Sequence, residues 1–376
     1  MKICAVICEF NPFHNGHLYL LEQAKKLSGC DRLICIMSGS FTQRGEICIS
    51  DRFIRASHAV SGGADCVIEL PTAFAVAPAE IFADGAIKTL SSIPEVTTLA
   101  FGCENDIVNF VKTAELLSDE NNEFKTALEK ELKKGNSYVK SYAKAFENSG
   151  GSGEFLSGPN NILGIEYAKA VLRRNPNIKL LPVKRIGAQY NDGKIKDNYS
   201  SASAIRNNLN SDLVKNNVPD YVFEELKSCN VPNDNFRRIA AFGLFNTTAD
   251  KLKKIFGCGE GLENKLVNCA GKSYQSVISE CTTKRYPSSR ISRILCANLL
   301  GLYEDECKIF LKEKLYIRPL AIKDECASDI LSSLSKSEFP LITRGRERKN
   351  LTEIAGYCLS IDEKAAKLRN FIAEIN

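Results

Sequence analysis

Short apolar runs alternate with stretches of helical spacing over the first hundred residues. The runs are rich in Ile, Val and Cys, as in buried strands, and cover Lys2–Glu9, Arg32–Met37, Cys66–Leu70 and Thr97–Phe101. Between them, apolar positions recur at helical spacing in His17–Leu27, in Ser50–Ala59 and in Ala79–Leu90. Strands that alternate with helices of this length predict a parallel sheet with right-handed crossovers.

The pattern changes after the fourth strand. A charged helical stretch, a glycine- and serine-rich loop, a helix and a fifth strand are predicted at Asp106–Phe146, Ser149–Gly158, Asn161–Arg174 and Lys179–Lys184. After residue 200 we predict only amphipathic helices, interrupted by prolines. The fold class is therefore α/β, with a Rossmann-like parallel-sheet domain over residues 1–202 and an all-helical C-terminal domain over residues 203–376.

Composition narrows the class of protein. The chain has 376 residues, of which 44% are hydrophobic and 25% are charged, and these values exclude a collagen, an acidic disordered tail and a pure coiled coil. The apolar runs are too short to cross a bilayer, and no signal peptide is predicted. The 15 cysteines lack a C-x-x-C pair and are predicted to be reduced thiols that fill the core of a cytosolic protein.

Histidine is scarce, and two of the three histidines lie three residues apart in one turn. His14 and His17 follow the first strand, where open α/β sheets bind ligands. The next helix offers free N–H groups and the positive end of its dipole to a phosphate, and Gly16 lets the backbone approach. Both imidazoles could donate hydrogen bonds to phosphate oxygens. The alternative is a capped turn with two incidental histidines; the third, His58, is predicted to be partly buried without a ligand.

These residues also carry a resemblance to a known family. His14-Asn15-Gly16-His17 matches the H-x-G-H motif of the nucleotidyltransferase superfamily. Seven segments resemble, in order, the bacterial tRNA(Met) cytidine acetate ligase family: EFNPFHNGHL, SGSFTQRGE, GGADCVIELP, GPNNILGIEY, SSASAIR, KRYPSSRISRIL and LITRGR. The resemblance extends over nearly the whole chain, and its N-terminal part marks residues 1–202 as a nucleotidyltransferase domain.

The resemblance implies a two-step reaction. Such an enzyme activates acetate with ATP to acetyl-adenylate and then acetylates N4 of the wobble cytidine of elongator tRNA(Met), with release of AMP and diphosphate. The implied partners are ATP, acetate and elongator tRNA(Met), in the cytoplasm and without a membrane. Mg²⁺ is expected to accompany ATP, although the sequence identifies no protein ligand for a metal. The oligomeric state stays open.

The resemblance and the strand ends together predict an ATP site. Its catalytic residues are His14, His17 and Arg206, and Arg44 is expected to contact substrate unless it is an ordinary loop arginine. The predicted ATP-binding residues are Ile7, Cys8, Glu9, Phe10, Asn11, Pro12, Phe13, His14, Asn15, Gly16, His17, Gly102, Asn160, Asn161, Arg185, Ile186, Ser201, Ser203 and Arg206. Helix capping is the alternative role for the asparagines and the serines.

Two basic clusters lie in the C-terminal half, against a net charge of only +5 for the whole chain. Their cations could neutralise RNA phosphates, although a solvated helix face is the usual explanation of such a run. The predicted tRNA-binding residues are Lys284, Arg285, Arg290, Arg293, Arg344, Arg346 and Arg348.

Two other functions use the same residues. An adenylyltransferase of a small phosphorylated cofactor precursor would use the same H-x-G-H turn, but it would not need a large basic helical domain. A non-catalytic RNA-binding protein with a retained nucleotide pocket would not need an intact motif. The presence of His14, Gly16, His17 and Arg206 argues against this last possibility.

Overall fold

A computed structural model describes residues 1–104, 110–118, 122–135, 138–148, 158–186, 195, 198–229 and 231–375. Its single sheet has six strands: β1 Ile3–Cys8, β2 Arg32–Ser38, β3 Cys66–Leu70, β4 Val96–Cys103, β5 Lys179–Lys184 and β6 Pro319–Ile322. The strand order is β5-β4-β1-β2-β3-β6, and β1 to β5 are all parallel. The α/β class with a Rossmann-like parallel sheet is confirmed.

One strand was not predicted. β6 lies beyond residue 200, where we expected only helices, and it pairs antiparallel with β3 at the edge of the sheet. It is four residues long and begins with Pro319, which opposes Ile68 at an irregularity in the register. A short edge strand that starts with proline carries almost no alternating pattern, so the sequence gives no signal for it. The division of the chain after residue 202 stays a prediction.

The helices of the N-terminal half agree with the pattern, apart from a short additional turn of helix, α3. They are α1 Asn15–Ser28, α2 Arg52–Ser61, α3 Thr72–Ala75, α4 Ala79–Ser91, α5 Phe110–Ser118, α6 Asn122–Lys133, α7 Tyr138–Asn148 and α8 Pro159–Arg174. The predicted charged helical stretch contains α5 to α7. Residues 149–157 of the predicted loop lie outside the described part of the chain.

The C-terminal half is built mainly of short helices. They are α9 Ala202–Asn207, α10 Asp220–Ser228, α11 Asn233–Phe242, α12 Ala249–Leu252, α13 Leu262–Val267, α14 Tyr274–Cys281, α15 Ser288–Leu300, α16 Glu304–Lys312, α17 Ala327–Leu334 and α18 Glu353–Glu374. Short 3-10 turns connect some of them, at Asp212–Asn216, Gly243–Asn246, Asp324–Cys326 and Gly345–Asn350. None of the described helices combines the length and the apolar content that a bilayer crossing requires.

The sheet is covered on both faces. Alternate residues of β1 from Ile3 to Ile7 belong to one core with α4, α8 and the helices of the C-terminal half. The intervening residues from Cys4 to Cys8 belong to a second core with α1 and α2. All 15 cysteines are free and all but Cys30 and Cys229 are buried, which confirms that they serve as small core residues.

A buried ionic cluster holds the C-terminal segment at the edge of the sheet. The Glu69 carboxylate of β3 is 2.7 Å from Arg52 of α2 and 3.3 Å from Arg318, which immediately precedes β6. Burial, with the nearby Asp362 carboxyl as a second cause, raises the pKa of Glu69 to about 7. The two arginines therefore balance a charge that the core alone would disfavour, and they fix β6 against β3.

Candidate active site

The main cleft opens at the carboxyl ends of β1, β4 and β5. Strand order reverses between β1 and β4, and such a point is where open α/β sheets bind ligands. The cleft contains about 1220 Å³ of empty space, counting the part that is open to solvent. Its walls come from the ends of the strands, from α1 and α8, and from the short α9. The predicted phosphate-binding turn therefore lies at the expected edge of the sheet.

Aromatic packing fixes the turn between β1 and α1. Phe10 is 1% exposed and has a φ of 47°, in the left-handed region that a bulky residue rarely adopts. Its ring packs 5.0 Å from the ring of Phe13 and 4.8 Å from that of His17. The Asn11–Pro12 peptide bond is cis. The turn is thus held by its own buried side chains, and these aim the two histidines along one wall.

The two histidine rings lie against each other. Their centroids are 3.6 Å apart and their planes differ by 23°. His14 caps α1, because its Nδ1 accepts the Gly16 N–H at 3.1 Å. A neutral His14 therefore carries its proton on Nε2, which leaves one ring donor available to a ligand. His17 Nδ1 is buried and has no hydrogen-bond partner within the described structure.

Burial keeps both imidazoles uncharged. It lowers the pKa of His14 to about 3, and the positive charges of Arg185 and Arg206 act in the same direction. Burial also holds the pKa of His17 well below its usual range, with His14 and Arg185 as further causes. Near neutral pH the pair can donate hydrogen bonds without adding positive charge of its own, so the local positive charge comes from the arginines.

The depressed pKa of His14 predicts a dependence of stability on pH. In the unfolded chain His14 has its usual pKa of 6.5 and binds a proton below that pH, whereas in the folded protein it stays neutral down to about pH 3. The unfolded state therefore binds more protons, and the free energy of unfolding falls on acidification. His14→Asn keeps a capping side chain and removes this proton. We expect urea unfolding midpoints to drop less in this variant than in the wild type between about pH 7.5 and about pH 5.5. Equal drops would contradict the assignment.

The first turn of α1 differs from expectation. We predicted free N–H groups for a phosphate, but the Asn15 N–H donates to the carbonyl of Asn217 at 2.9 Å and the Gly16 N–H donates to His14. One distant partner, Asn217, and one local partner, His14, therefore satisfy N–H groups that the helix alone would leave without hydrogen bonds. Glycine is also needed at position 16 because a Cβ there would lie 2.9 Å from the His14 ring. The turn therefore presents imidazoles rather than bare amides.

Arg206 ties α9 to the turn. One guanidinium nitrogen donates to the Asn11 carbonyl at 2.7 Å, and the other donates to the Glu46 carboxylate at 2.7 Å. Asn11 Oδ1 accepts the Ile49 N–H at 2.9 Å, whereas its buried Nδ2 has no partner in the described structure. Ser201 caps α9 through the Ala204 N–H. Arg206 is thus a fixed positive group on the wall of the cleft.

A half-buried carboxyl lies at the end of β1. Glu9 accepts the Gln43 N–H at 2.6 Å, and burial raises its pKa. Glu46, the other carboxylate of the cleft, is paired with Arg206. Neighbouring Arg44 lines both the main cleft and the second cleft described below. Among the described residues, no group of three or more His, Cys, Asp or Glu side chains is arranged to hold a metal ion.

Helix α8 closes the opposite wall, and Glu104 caps it. The Glu104 carboxylate accepts the N–H groups of Asn160 at 3.0 Å and of Asn161 at 2.8 Å. Asn161 in turn accepts the Glu104 N–H, but the capping role expected as an alternative for the asparagines is not seen, because both lie inside the first turn of α8 and Glu104 caps them. Asn160, but not Asn161, also lines the main cleft. Beside them, Arg185 follows β5 and is held by the Cys103 carbonyl at 3.0 Å.

Most predicted ATP-binding residues come together at these walls. Those that line the main cleft or the smaller pocket beside it are Ile7, Cys8, Glu9, Phe10, Asn11, His14, Gly16, His17, Gly102, Asn160, Arg185, Ile186, Ser203 and Arg206. Five line neither space: Pro12, Phe13, Asn15, Asn161 and Ser201. Phe13 packs behind the turn, and the Asn15 side chain donates to the carbonyls of Asn198 and Asn216.

An apolar wall of the cleft was not predicted. It consists of Leu20, Phe82, Phe101, Leu163 and Tyr167, and the polar residues Thr42 and Gln43 complete the rim. The sequence pattern could have predicted two of these residues, because Leu163 and Tyr167 follow Asn160 at helical spacing on one face of α8. The others come from separate elements and have no local signal.

A second cleft continues from the main one into the C-terminal half. The two share Arg44, Glu46, Ser203 and Arg206. The remaining lining is supplied by Ile47, Asn207, Asn233, Phe236, Arg237, Tyr274, Ile278, Ser288, Ser289 and Ser292. The second cleft therefore adjoins the main one across these four shared residues and extends to α11, α14 and α15.

The first basic cluster is only partly exposed. Lys284 and Arg285 are exposed, with Arg285 paired to Glu260. Arg290 donates to the Gly257 carbonyl at 2.7 Å, and Arg293 donates to the Gln43 carbonyl at 3.2 Å. Burial lowers the pKa of Arg293 to about 10. Arg293 thus braces the loop that carries Arg44.

The second basic cluster occupies an exposed 3-10 turn. Arg344, Arg346 and Arg348 are all exposed, and Arg348 pairs with Glu363.

The third histidine lies in α2. His58 is buried beside Tyr221, and burial lowers its pKa to about 4. His58 is therefore more deeply buried than expected, and its Nδ1 has no hydrogen-bond partner in the described structure.

Comparison with known proteins gives one consistent family. A family model described as HIGH Nucleotidyl Transferase matches residues 1–376. The tRNA(Met) cytidine acetate ligase of Acetivibrio thermocellus is 35% identical over 367 aligned positions, which cover 92% of this chain and 88% of the relative. The enzyme of the same name from Clostridium botulinum strain Okra is 36% identical over 389 positions, which cover 97% and 93%.

Two crystal structures of Thermotoga maritima TmcAL have the same fold. The apo form superposes with a TM-score of 0.92 at 30% identity and covers 100% of this chain and 96% of that one. The form bound with alpha-thio ATP gives a TM-score of 0.89 at 29% identity, with coverage of 100% and 95%.

Proposed function

We propose that this chain, which belongs to the HIGH Nucleotidyl Transferase family and resembles its tRNA(Met) cytidine acetate ligases along its whole length, catalyses that reaction. It uses ATP to convert acetate to acetyl-adenylate. It then transfers the acetyl group to N4 of the wobble cytidine of elongator tRNA(Met), and AMP and diphosphate are released. With these substrates, the enzyme acts in the cytoplasm.

One observation carries the proposal: two residues that line the main cleft each have a buried polar atom without a hydrogen-bond partner in the described structure. These atoms are His17 Nδ1 and Asn11 Nδ2. A buried polar atom without a hydrogen bond costs about 1–3 kcal/mol, so a bound ligand should satisfy them. Phosphate oxygens of ATP would do so beside the Arg206 guanidinium. The complex of the Thermotoga maritima relative with alpha-thio ATP supports this choice of ligand.

The first step is a displacement at phosphorus. A carboxylate oxygen of acetate attacks the α-phosphorus, the bond to the bridging oxygen breaks, and diphosphate leaves. His14 and His17 donate hydrogen bonds to phosphate oxygens, and Arg206 offsets the negative charge that accumulates there. The rigid turn and the capped α9 hold these donors before the reaction starts, so little reorganisation remains to be done.

The second step is an acyl transfer to a weak nucleophile. The exocyclic amine of cytosine attacks the acetyl carbonyl of the mixed anhydride, loses a proton, and AMP leaves. Because this amine does not react with acetate itself, an activated acyl donor is required. We assign the second cleft to the entering cytidine, since it adjoins the main cleft and shares Arg44 and Arg206 with it. A base must be unstacked from its loop to reach it.

Mg²⁺ arrives with ATP in this scheme. The carboxylates of the described cleft are already engaged, because Glu9 accepts from Gln43 and Glu46 accepts from Arg206. The metal would therefore be held mainly by the phosphates, whose charge it offsets. We assign tRNA backbone contacts to the exposed members of the two basic clusters, which are Lys284, Arg285, Arg344, Arg346 and Arg348.

A labelling experiment tests the function. The protein is incubated with ATP, labelled acetate and elongator tRNA(Met), and the RNA is digested to nucleosides. We expect label in N4-acetylcytidine and one AMP for each acetyl group, and no label in a tRNA whose wobble cytidine is replaced by uridine. AMP transfer to a small phosphorylated acceptor would support an adenylyltransferase instead. RNA binding without AMP formation would support a non-catalytic RNA-binding protein.

A further inference from the structure

Two phenylalanines form an exposed aromatic pair on the C-terminal half. Phe242 ends α11 and Phe245 lies in the following 3-10 turn, and each is 60% exposed. Their ring centroids are 5.6 Å apart, and their planes are inclined at 45°. Helix α11 buries its other apolar residues Phe236, Ala240 and Ala241 in the core. Phe242 and Phe245 nevertheless remain exposed to water. Contiguous exposed apolar surface of this kind marks a binding site.

Three cations and one acid, Asp234, line the depression that holds the aromatic pair. The cations are Arg237, Arg238 and Lys272. Arg237 is 3.0 Å from Asp234 and Lys272 is 2.6 Å from Glu280, but these are exposed ion pairs, which water and salt weaken strongly. Arg238 is exposed and takes part in no ion pair within the described structure. The depression thus offers two aromatic faces inside a rim that favours an anionic partner.

The depression leads to the reacting centre. It shares Arg237 and Tyr274 with the second cleft. The second cleft in turn shares Arg206 and Glu46 with the main cleft. A polymer that delivers one unit to the main cleft would therefore pass over the aromatic pair with the units next to it.

We propose that Phe242 and Phe245 form a stacking platform for unpaired anticodon-loop bases adjacent to the wobble cytidine, with Arg237, Arg238 and Lys272 against the loop phosphates. This inference rests on the proposed function. Unpaired bases stack on exposed aromatic rings with about 1–3 kcal/mol per base, whatever their sequence. A loop that gives up one base to a pocket loses its own stacking, and the platform replaces part of it.

The charges favour RNA over a second copy of the chain. In a symmetric dimer through this depression, the same cationic rim would face itself across the interface. Like charges brought together in this way disfavour association. An RNA loop instead supplies bases for the rings and phosphates for the cations in alternation along one strand.

The test uses the whole protein with both phenylalanines changed, Phe242→Ala with Phe245→Ala. We expect the KM for tRNA in the acetylation assay to rise about tenfold or more, while acetate-dependent ATP–diphosphate exchange without tRNA is unchanged. Phe371→Ala is the matched control, because Phe371 of α18 is also 60% exposed. Tyrosine in place of alanine at position 242 (Phe242→Tyr) should restore most of the affinity for tRNA that the alanine substitution removes, since tyrosine offers an equivalent ring.

Binding of an isolated anticodon stem-loop, followed by fluorescence anisotropy, separates this inference from the proposed function. Weaker binding by the double variant than by Phe371→Ala supports the platform even if the wild type forms no acetylcytidine. Arg238→Ala should reduce the slope of log affinity against log salt by about one. Equal stem-loop affinity in the wild type and the double variant overturns the proposal, and so does the absence of stem-loop binding by the wild type. A wild-type dimer that the double variant abolishes would also overturn it.

Discussion

His17→Ala is expected to lower acetate-dependent ATP–diphosphate exchange by about 10²–10³-fold, the usual loss when one preorganised donor to a developing oxyanion is removed. The side chain lines the main cleft, its ring stacks 3.6 Å from that of His14, and its Nδ1 has no protein partner within the described structure. Because tRNA contacts are assigned to other surfaces, the affinity for the anticodon stem-loop should not change. The measurement is exchange of labelled diphosphate into ATP, which isolates the first step.

The third histidine provides the control for this variant. His58 is buried and, like His17, has an Nδ1 without a partner in the described structure, but it packs beside Tyr221 and does not line the cleft. His58→Ala should therefore leave the exchange rate unchanged after correction for any loss of folded protein. If both substitutions reduced exchange to the same extent, general destabilisation would explain the loss and His17 would have no part in the chemistry.

Arg206→Ala is expected to reduce the same exchange by about 10³-fold or more, as with other arginines that stabilise transferring phosphoryl groups. The guanidinium holds the Asn11 carbonyl and the Glu46 carboxylate at once, so its loss removes a charge and loosens the turn. Arg206→Lys keeps the charge without the planar fork and should recover only part of the rate. Initial rates at saturating ATP and acetate, together with the KM for ATP, are the readouts.

Glu46→Gln tests whether Arg206 acts directly on the phosphates. This substitution weakens the ion pair at 2.7 Å but leaves the donation from Arg206 to the Asn11 carbonyl. Exchange should change far less than in Arg206→Ala. A loss as large as that of Arg206→Ala, with an equal fall in Tm, would indicate that Arg206 has only a structural role.

The sequence predicted the parts of the site that are local in the chain. The turn that holds His14 and His17 is continuous, and its position between a strand and a helix was legible from spacing alone. The engagement of the Asn15 N–H at the start of α1 was not predictable, because its partner Asn217 is some two hundred residues away. Arg293 looked like a surface cation for the same reason: only the fold brings it to the Gln43 carbonyl.

The strands of the fold also divide into those predictable from local sequence and those that depend on distant residues. Parallel strands β1 to β4 each bury apolar residues in a short run, so each was predicted within a few residues of its bounds. In β5 only Val183 is buried, but its apolar residues still stand in one short run of sequence. β6 was missed because its four residues gain their conformation from β3 and from the Glu69–Arg318 pair rather than from their own pattern. The apolar wall of the cleft was missed for a related reason, since Phe82 and Phe101 meet only after α4 and β4 are packed.

The antiparallel pairing of β6 also has a consequence for synthesis on the ribosome. β3 ends at Leu70, but the strand that covers its open edge begins at Pro319. A growing chain therefore carries five parallel strands, β1 to β5, with the apolar edge of β3 unpaired until most of the protein has been translated. Unpaired edges of this kind recruit other strands and promote aggregation. The last third of the chain thus covers the edge of the sheet that the first third forms. A truncated product that ends before β6 would be prone to aggregate.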